Sequence, residues 1–243
     1  MSTRFVTIGR KATHGLMAPT ASLDTGPPPA YPCRVYPIAL KLAGRRCVVI
    51  GGGAVAARKV DALLAAGAHV VVVAPVLCDT IAARNAAGEI EHHARPFGPA
   101  DLEGALLAIA ATDAPDVNAA VSEAAQARGI LVNVVDEPEL CSFFVPAVVR
   151  RGDVMIAIST GGSSPALARR IREELQEQYG DEYAALAELL SELRPRVLET
   201  VPSESDRRRI WREMLASDAL KLLAAGDPDA ARQALEAILA RFT

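Results

Sequence analysis

The chain has 243 residues, a formal net charge of -3 and a hydrophobic fraction of 51%. This length is enough for one large domain or two small ones, and the near balance of charge argues against a nucleic-acid-binding surface. The longest uninterrupted apolar stretch covers residues 70–78, whereas a membrane-spanning helix needs about 20 apolar residues, so we expect no membrane partner. The four cysteines form no C-x-x-C pair, which argues against zinc and disulfides and is typical of a cytoplasmic protein.

Residues 1–35 differ from the rest of the chain. The segment 26–32, GPPPAYP, fits neither a helix nor a central strand. The residues before it lack the continuous apolar segment of a secretory signal. We expect 1–35 to be a disordered extension, or to include residues upstream of a true start at Met17, and we assign it no function.

From residue 36 onward, short apolar runs alternate with helical segments. We predict strands at 47–50, 69–73, near Ile90, at 106–111 and at 130–135, with helices at 54–66 and 115–128. Strands that alternate with helices of this length form a parallel sheet covered by helices. The fold class is therefore α/β, with a Rossmann-type domain over 36–145.

The pattern changes after Asp136. Two strands around a tight turn are predicted at 147–150 and 154–159, and Ser164 and Pro165 are a typical N-cap and first residue of a helix over 166–179. Further helices are predicted at 183–193, 204–215, 219–223 and 228–240, with interruptions at Pro195 and Pro202. The chain is thus divided into a small α+β segment over 146–178 and a helical domain over 179–243.

A glycine-rich motif, G-x-G-x-x-A, covers residues 51–56 between a predicted strand and a predicted helix. Gly51 allows a tight turn, Gly53 allows close approach of a pyrophosphate, and the amides of Ala54 and Val55 begin a helix whose N-terminus attracts phosphate. The motif predicts dinucleotide binding. The alternative is a glycine-rich turn that serves packing only.

The carboxylate that usually binds the ribose, about 20 residues further on, is missing. The second strand ends in the sequence VAPV, so we expect backbone groups near Pro75 and Val76 to hold the ribose. The residues leave NAD and NADP open, although no arginine follows the strand closely, which disfavours a 2′-phosphate.

Two aspartates follow predicted strands at their carboxyl ends, where open α/β sheets bind ligands. Asp113 and Asp136 are candidates to bind at the crevice or to accept a proton while a hydride leaves. The alternatives are that Asp113 caps the helix over 115–128 and that Asp136 is a turn residue before Pro138. The four histidines have no spacing typical of a metal site, and we predict no metal ligands.

A second glycine-rich turn precedes the helix at 166–179. The amides of Thr160, Gly161, Gly162 and Ser163 are candidates to bind an anion such as a substrate carboxylate. Four arginines lie nearby in the sequence: Arg150, Arg151, Arg169 and Arg170. The alternative is a plain capped turn with surface arginines.

These motifs, in this order, carry a family resemblance. The matching segments are 36–38, 49–59, 110–113, Asn118, 133–136, 142–143, Pro146, 159–165, 168–169 and 207–211. The chain resembles the dehydrogenase/ferrochelatase half of sirohaem synthase and stand-alone precorrin-2 dehydrogenases, from about Tyr36 to its end. The family's methyltransferase half has no counterpart, so we expect that activity on another protein.

The resemblance implies NAD as the cofactor and oxidation of precorrin-2 to sirohydrochlorin. In bifunctional members the same site then inserts Fe²⁺. It further implies a homodimer, with 146–178 as the dimerisation segment, and Asp136 as the residue that serves both steps. Arginines and helix N-termini suit a substrate with eight carboxylates.

Two other functions remain open. A non-catalytic module that binds NAD or a tetrapyrrole needs the glycine motif but not Asp136. A dehydrogenase for small hydroxy acids needs a catalytic histidine or lysine late in the fold, and the sequence places none there.

Overall fold

The computed structural model describes residues 35–242. The extension predicted over 1–35, with Met17, therefore lies outside the described residues except at its last position. The strands are β1 (Arg46–Ile50), β2 (His69–Val73), β3 (Glu91–His93), β4 (Leu107–Ala110), β5 (Leu131–Val134), β6 (Ala147–Arg151) and β7 (Val154–Ile158). The helices are α1 (Ala54–Ala65), α2 (Asp79–Ala86), α3 (Pro115–Gln126), α4 (Pro165–Gln178), α5 (Glu182–Thr200), α6 (Glu204–Ala216), α7 (Ala219–Ala224) and α8 (Pro228–Leu239).

Five parallel strands form one sheet in the order β3-β2-β1-β4-β5. In the centre, Val49 pairs with Val72 on one side and with Ile109 on the other. The two strands β1 and β2 are rich in valine and isoleucine and almost fully buried, as is typical of strands covered on both faces. The strand order reverses direction at β1, as in Rossmann-type domains, and the predicted fold class is confirmed.

Helices cover both faces of this sheet. On one face α1 buries Ala56 and Val60, which are spaced four residues apart. On the other face α3 buries Val121 and Ala125 with the same spacing. Because the connections on the two sides of β1 run over opposite faces, a crevice opens at the carboxyl ends of β1 and β4.

A small α+β segment follows the sheet, as predicted. Strands β6 and β7 pair antiparallel, with Val149 opposite Ile156, and Gly152 turns the chain with a φ of 53°. The α4 helix begins after Ser164, whose hydroxyl accepts a hydrogen bond from the Leu167 amide at 3.2 Å. The predicted N-cap is therefore confirmed.

The helices α5 to α8 pack around their own apolar core. The predicted interruption at Pro195 is wrong, because α5 runs through this residue to Thr200. Proline removes one helical hydrogen bond and crowds the preceding turn. Leu193 and Val197, on either side of Pro195, are buried against the other helices, and this packing holds the helix together.

The helix α2 was not predicted. It buries only Ile81, so its sequence lacks the repeated apolar positions that indicate a helix. Between residues 35 and 242, no helix combines the length and the apolar character needed to cross a bilayer.

Candidate active site

Two cavities open at the carboxyl edge of the sheet. The glycine cavity, of about 540 Å³, is lined by residues 50–55, 73–76, 96–97, 111–114 and Val117. The aspartate cavity, of about 500 Å³, is lined by Lys59, residues 133–138, Cys141, residues 144–147 and 158–160, Gly162, Pro165 and Ala168. The first lies where the sheet order reverses, and the second joins the end of β5 to the α+β segment.

The three glycines after β1 have different surroundings. A Cβ atom on Gly51, whose φ is 122°, would lie 2.3 Å from the Ala111 carbonyl oxygen, and one on Gly52 would lie 1.9 Å from that of Val76. A Cβ atom on Gly53 would meet no atom within 4 Å. The packing interpretation therefore holds for Gly51 and Gly52, whereas Gly53 leaves open space at the glycine cavity.

The N-terminus of α1 fits an anion. Its N-cap residue, Gly53, has no side chain that could cap the first amides, and the first turn contains no acidic residue. The amides at the start of α1 thus carry the partial positive charge of the helix into the cavity without a competing carboxylate. A dinucleotide pyrophosphate suits this position.

All the residues predicted to bind the cofactor meet in this one cavity. They are Gly51, Gly53, Ala54, Val55, Pro75, Val76 and Asp113. They come from the ends of three adjacent strands, which explains how residues more than 60 positions apart in the sequence become neighbours.

Asp113 does not cap α3, so the alternative interpretation of this residue is wrong. The N-cap residue is Ala114, whose amide donates to the Thr112 hydroxyl at 3.2 Å. The threonine therefore satisfies the turn before α3, and the exposed Asp113 stays available to the glycine cavity.

Asp136 lies in the turn after β5 and lines the aspartate cavity. Its φ is 62°, and among residues 35–242 it is the one non-glycine residue with a positive φ. The left-handed conformation costs an L-residue about 1 kcal/mol or more, and such conformations cluster at functional sites. Asp136 is therefore a turn residue, as the alternative interpretation has it, but its exposed carboxylate also lines the cavity.

Asp136 and the glycine turn share one edge of the sheet. β5 pairs with β4, and β4 pairs with β1, all in the same direction. Adjacent strands are about 4.8 Å apart, so the two strand ends are separated by roughly 10 Å. A dinucleotide on the glycine turn and a substrate at Asp136 are therefore within reach of each other.

Lys59 also lines the aspartate cavity, although it was not among the site residues predicted from the sequence. It lies four residues after Val55 on the same face of α1, half-buried. Burial lowers the pKa of Lys59, and Arg58 lowers it further, while Asp136 and Cys141 act in the opposite direction. The sequence feature that could have indicated Lys59 is its position, since it is a cation on a mostly apolar helix that starts at the cofactor motif.

The second glycine-rich turn borders the aspartate cavity through Thr160 and Gly162, but Gly161 and Ser163 do not line it. Several of its amides are already used. The Gly161 amide donates to the Ser159 hydroxyl at 3.2 Å, and the Ser163 amide to the Thr160 carbonyl at 3.1 Å. The turn therefore offers fewer free N–H groups than its sequence predicts.

The four arginines near this turn are not among the residues that line the cavity. Arg151 donates to the carbonyl oxygens of Gln176 and Tyr179, at the end of α4. Arg169 and Arg170 pair with glutamates one turn along the same helix. The part of the chain that the structure describes holds no group of three or more histidine, cysteine, aspartate or glutamate side chains placed to bind a metal.

Three family models match successive parts of the chain. The model described as "Putative NAD(P)-binding" covers 38–147, and the model of the sirohaem biosynthesis protein central region covers 151–178. The model of the sirohaem synthase dimerisation region covers 182–239. The glycine cavity lies within the first of these regions.

Similar curated proteins are sirohaem synthases. The chain is 44% identical over 204 residues to that of Thioalkalivibrio sulfidiphilus and 44% identical over 203 residues to that of Methylobacillus flagellatus. Each alignment covers 84% of this chain but only 42% and 44% of the respective relative. The chain thus spans less than half the length of these relatives.

A solved structure matches the whole arrangement. The protein titled SirC, precorrin-2 dehydrogenase, superposes with a TM-score of 0.68 at 29% identity. The superposition covers 83% of this chain and 99% of that protein. The chain belongs to the sirohaem synthase family, over the part in which an NAD(P)-binding domain is followed by the family's central and dimerisation regions.

Proposed function

We propose that the chain is a precorrin-2 dehydrogenase that oxidises precorrin-2 to sirohydrochlorin with NAD. The observation that carries this proposal is the placement of a dinucleotide cavity and of Asp136 at one edge of the same sheet. The likeness to SirC over nearly all of that protein's length supports it.

The cofactor assignment follows from the glycine cavity. The amides at the start of α1 would hold the pyrophosphate, and backbone groups of Pro75 and Val76, which line the same cavity, would hold the ribose. Residues 74–78 contain no lysine or arginine to pair with a 2′-phosphate, which favours NAD over NADP. A bound nicotinamide would supply the hydride acceptor for the oxidation.

The oxidation removes a hydride and a proton from precorrin-2, so the site needs a proton acceptor. Asp136 is exposed at the cavity next to the family's central region and supplies a carboxylate for this purpose. Thr160 and Gly162 border the same cavity and contribute to the surface against which the macrocycle packs.

A second candidate activity is insertion of Fe²⁺ into sirohydrochlorin. Two neighbouring carboxylates, Asp136 and Glu137, line the aspartate cavity. Metal insertion releases two protons from pyrrole nitrogens, and two carboxylates are suitable acceptors. Sirohydrochlorin supplied with Fe²⁺ should then give sirohaem faster than a protein-free control, and equal rates would remove this activity.

We also propose a homodimer in the cytoplasm. The model of the dimerisation region over 182–239 supports the dimer, and the free cysteines Cys47, Cys78 and Cys141 fit a reducing compartment. The division at 36–145, 146–178 and 179–243, with 146–178 as the dimerisation segment, remains a prediction; the model of the central region matches 151–178, and that of the dimerisation region matches 182–239. Light scattering should give twice the chain mass of 25.6 kDa, and the chain mass itself would contradict the dimer.

The direct test is an anaerobic reaction of the purified protein with enzymatically made precorrin-2 and NAD. We expect the sirohydrochlorin spectrum to appear with one NADH per macrocycle. If NAD and sirohydrochlorin both bind but no NADH forms, the chain is a binding module and the proposed activity is wrong.

A further inference from the structure

Lys59 contributes positive charge to the aspartate cavity. It is the one cationic side chain among the described residues that line this cavity. Within residues 35–242 its ammonium group makes no hydrogen bond and no ion pair, although it is half-buried. Asp136 attracts this ammonium group only at longer range, so the hydration lost on burial is not fully offset, and an anion that binds beside Lys59 would offset more of it.

Two other cations of the domain pair with carboxylates and do not line this cavity. Arg84 pairs with Asp61 at 3.2 Å and with Glu89 at 2.7 Å. Arg46 lies 3.6 Å from Glu91, at the amino end of the sheet. The charge of Lys59 is therefore the one that remains available at this cavity among the described residues.

The position of Lys59 on α1 is rigid. Its neighbour Val60 and the preceding Ala56 are fully buried against the sheet. Lys59 lies five residues after Ala54, or about 7.5 Å along the helix axis. One helix thus presents its N-terminus to the glycine cavity and an ammonium group to the aspartate cavity, which fixes the separation of the two binding positions.

We propose that Lys59 binds a peripheral carboxylate of the tetrapyrrole and so orients the macrocycle relative to Asp136. This inference rests on the proposed function. An ammonium and a carboxylate form a charge-assisted hydrogen bond, which is stronger than a neutral one. The Thr160–Ser163 turn uses several of its amides internally, so Lys59 carries the electrostatic part of the recognition.

The test compares K59M, K59R and R58M. Methionine keeps the apolar length of the lysine side chain and removes the charge, whereas arginine keeps the charge. Arg58 is the matched control, because it is the adjacent cation on α1, is exposed and does not line the cavity. Two quantities are measured: the KM for precorrin-2 and the Kd for sirohydrochlorin in a spectroscopic titration without NAD.

We expect K59M to raise both constants by roughly 10-fold to 100-fold, as for loss of a hydrogen bond between charged groups. Both constants of K59R should stay within a few-fold of the wild-type values, and those of R58M should equal them. The Kd for NAD should be unchanged in all three variants. Added salt should reduce the difference between wild type and K59M.

Two results would overturn the assignment. The first is sirohydrochlorin binding by K59M that equals wild type. The second is weakened NAD binding together with a lowered melting temperature in K59M, which would give the lysine a structural role. Failure of the wild type to form NADH would reject the proposed activity alone, because the titration still reports on Lys59.

Discussion

The side-chain amide of Asn118 donates a hydrogen bond to the carboxylate of Glu137 at 3.3 Å. The same amide group donates to the Thr112 carbonyl at 3.1 Å, and its oxygen accepts from the Thr112 hydroxyl at 2.8 Å. Asn118 is 4% exposed. This one buried residue joins the turn that precedes Asp113, in the glycine cavity, to the turn that carries Asp136, in the aspartate cavity.

Replacing Asn118 with alanine should therefore lower the rate of oxidation. Without the hydrogen bond to Glu137, the left-handed turn at Asp136 loses its link to α3. A small displacement of a catalytic group can cost about 100-fold in rate, so we expect kcat to fall by roughly 10-fold to 100-fold, with little change in the Kd for NAD. Steady-state kinetics and NAD titration measure these quantities.

Ser122 provides the matched control for Asn118. It is buried one turn further along α3, and its hydroxyl donates to the Leu140 carbonyl at 2.7 Å. Both alanine variants should lose about 1–2 kcal/mol of stability, but only N118A should lose turnover. Equal losses of kcat in N118A and S122A would show that Asn118 acts through stability alone.

Substitutions at the glycines after β1 should distinguish an effect on folding from an effect on cofactor binding. Alanine at Gly52 would collide with the Val76 carbonyl, so we expect G52A to lose about 1–3 kcal/mol of stability, as for overpacking. The Cβ atom of a valine at Gly53 would meet no protein atom within 4 Å, so we expect G53V to fold normally and to bind NAD at least tenfold more weakly. Thermal unfolding and NAD titration distinguish the two, and unchanged NAD affinity in G53V would make the turn purely structural.

The charge of Lys59 should make tetrapyrrole binding depend on pH. Its pKa lies below the usual lysine value because of burial and Arg58, while Asp136 and Cys141 oppose the shift and Glu137 also borders the cavity. The ammonium is charged below its pKa, so affinity should fall as the pH rises through this lowered value. We expect the Kd for sirohydrochlorin to increase in that range for wild type but not for K59R. An identical increase in both proteins would assign the pH dependence to another group.

A buried carboxylate holds the segment after β3. Asp101 accepts hydrogen bonds from the Arg95 guanidinium at 2.8 Å and from the Gly98 amide at 2.9 Å. Burial opposes its ionisation, but these hydrogen bonds and that of His93 outweigh it and keep the pKa of Asp101 below its usual value. Since the folded-state pKa is depressed, the stabilisation is present above the unfolded value of about 3.9 and is lost as the pH falls through the folded value.

We expect D101N to lower the free energy of unfolding by about 2 kcal/mol at neutral pH. Denaturant titration at several pH values measures this loss, which should shrink under acid conditions. The exposed Glu103 is the control, and E103Q should unfold like wild type. A loss in D101N that is the same at every pH would exclude the ionised carboxylate as its cause.

The Rossmann-type sheet was predictable because its signals are local and repeated. The valine runs, the glycines that end helices and the turn into α1 each appear within a few residues of sequence. The helix through Pro195 was not predictable, because its continuation depends on the packing of α5 against α7 and α8, in a core that includes Leu193 and Val197. That packing is a tertiary effect.

In the candidate site, too, some residues were predictable from the sequence and others were not. The residues of the glycine cavity follow from one motif and from the rule that parallel strands end at one edge. Lys59 and Asn118 could not be assigned from spacing, because each acts on a turn or cavity built by residues far away in the sequence. The use of two amides of the Thr160–Ser163 turn was also hidden, since the Gly161 amide donates to the Ser159 hydroxyl and the Ser163 amide to the Thr160 carbonyl.

The role of Asp136 as the proton acceptor is best tested by the rate of precorrin-2 oxidation by D136N, measured anaerobically with NAD in parallel with wild type and E139Q. Glu139 is exposed, three residues further on, and does not line the aspartate cavity. We expect D136N to lose at least about 100-fold in rate, the contribution of a general base, while its Kd for NAD and the turnover of E139Q stay at wild-type values. Wild-type turnover by D136N would contradict the claim that Asp136 accepts the proton released in the oxidation.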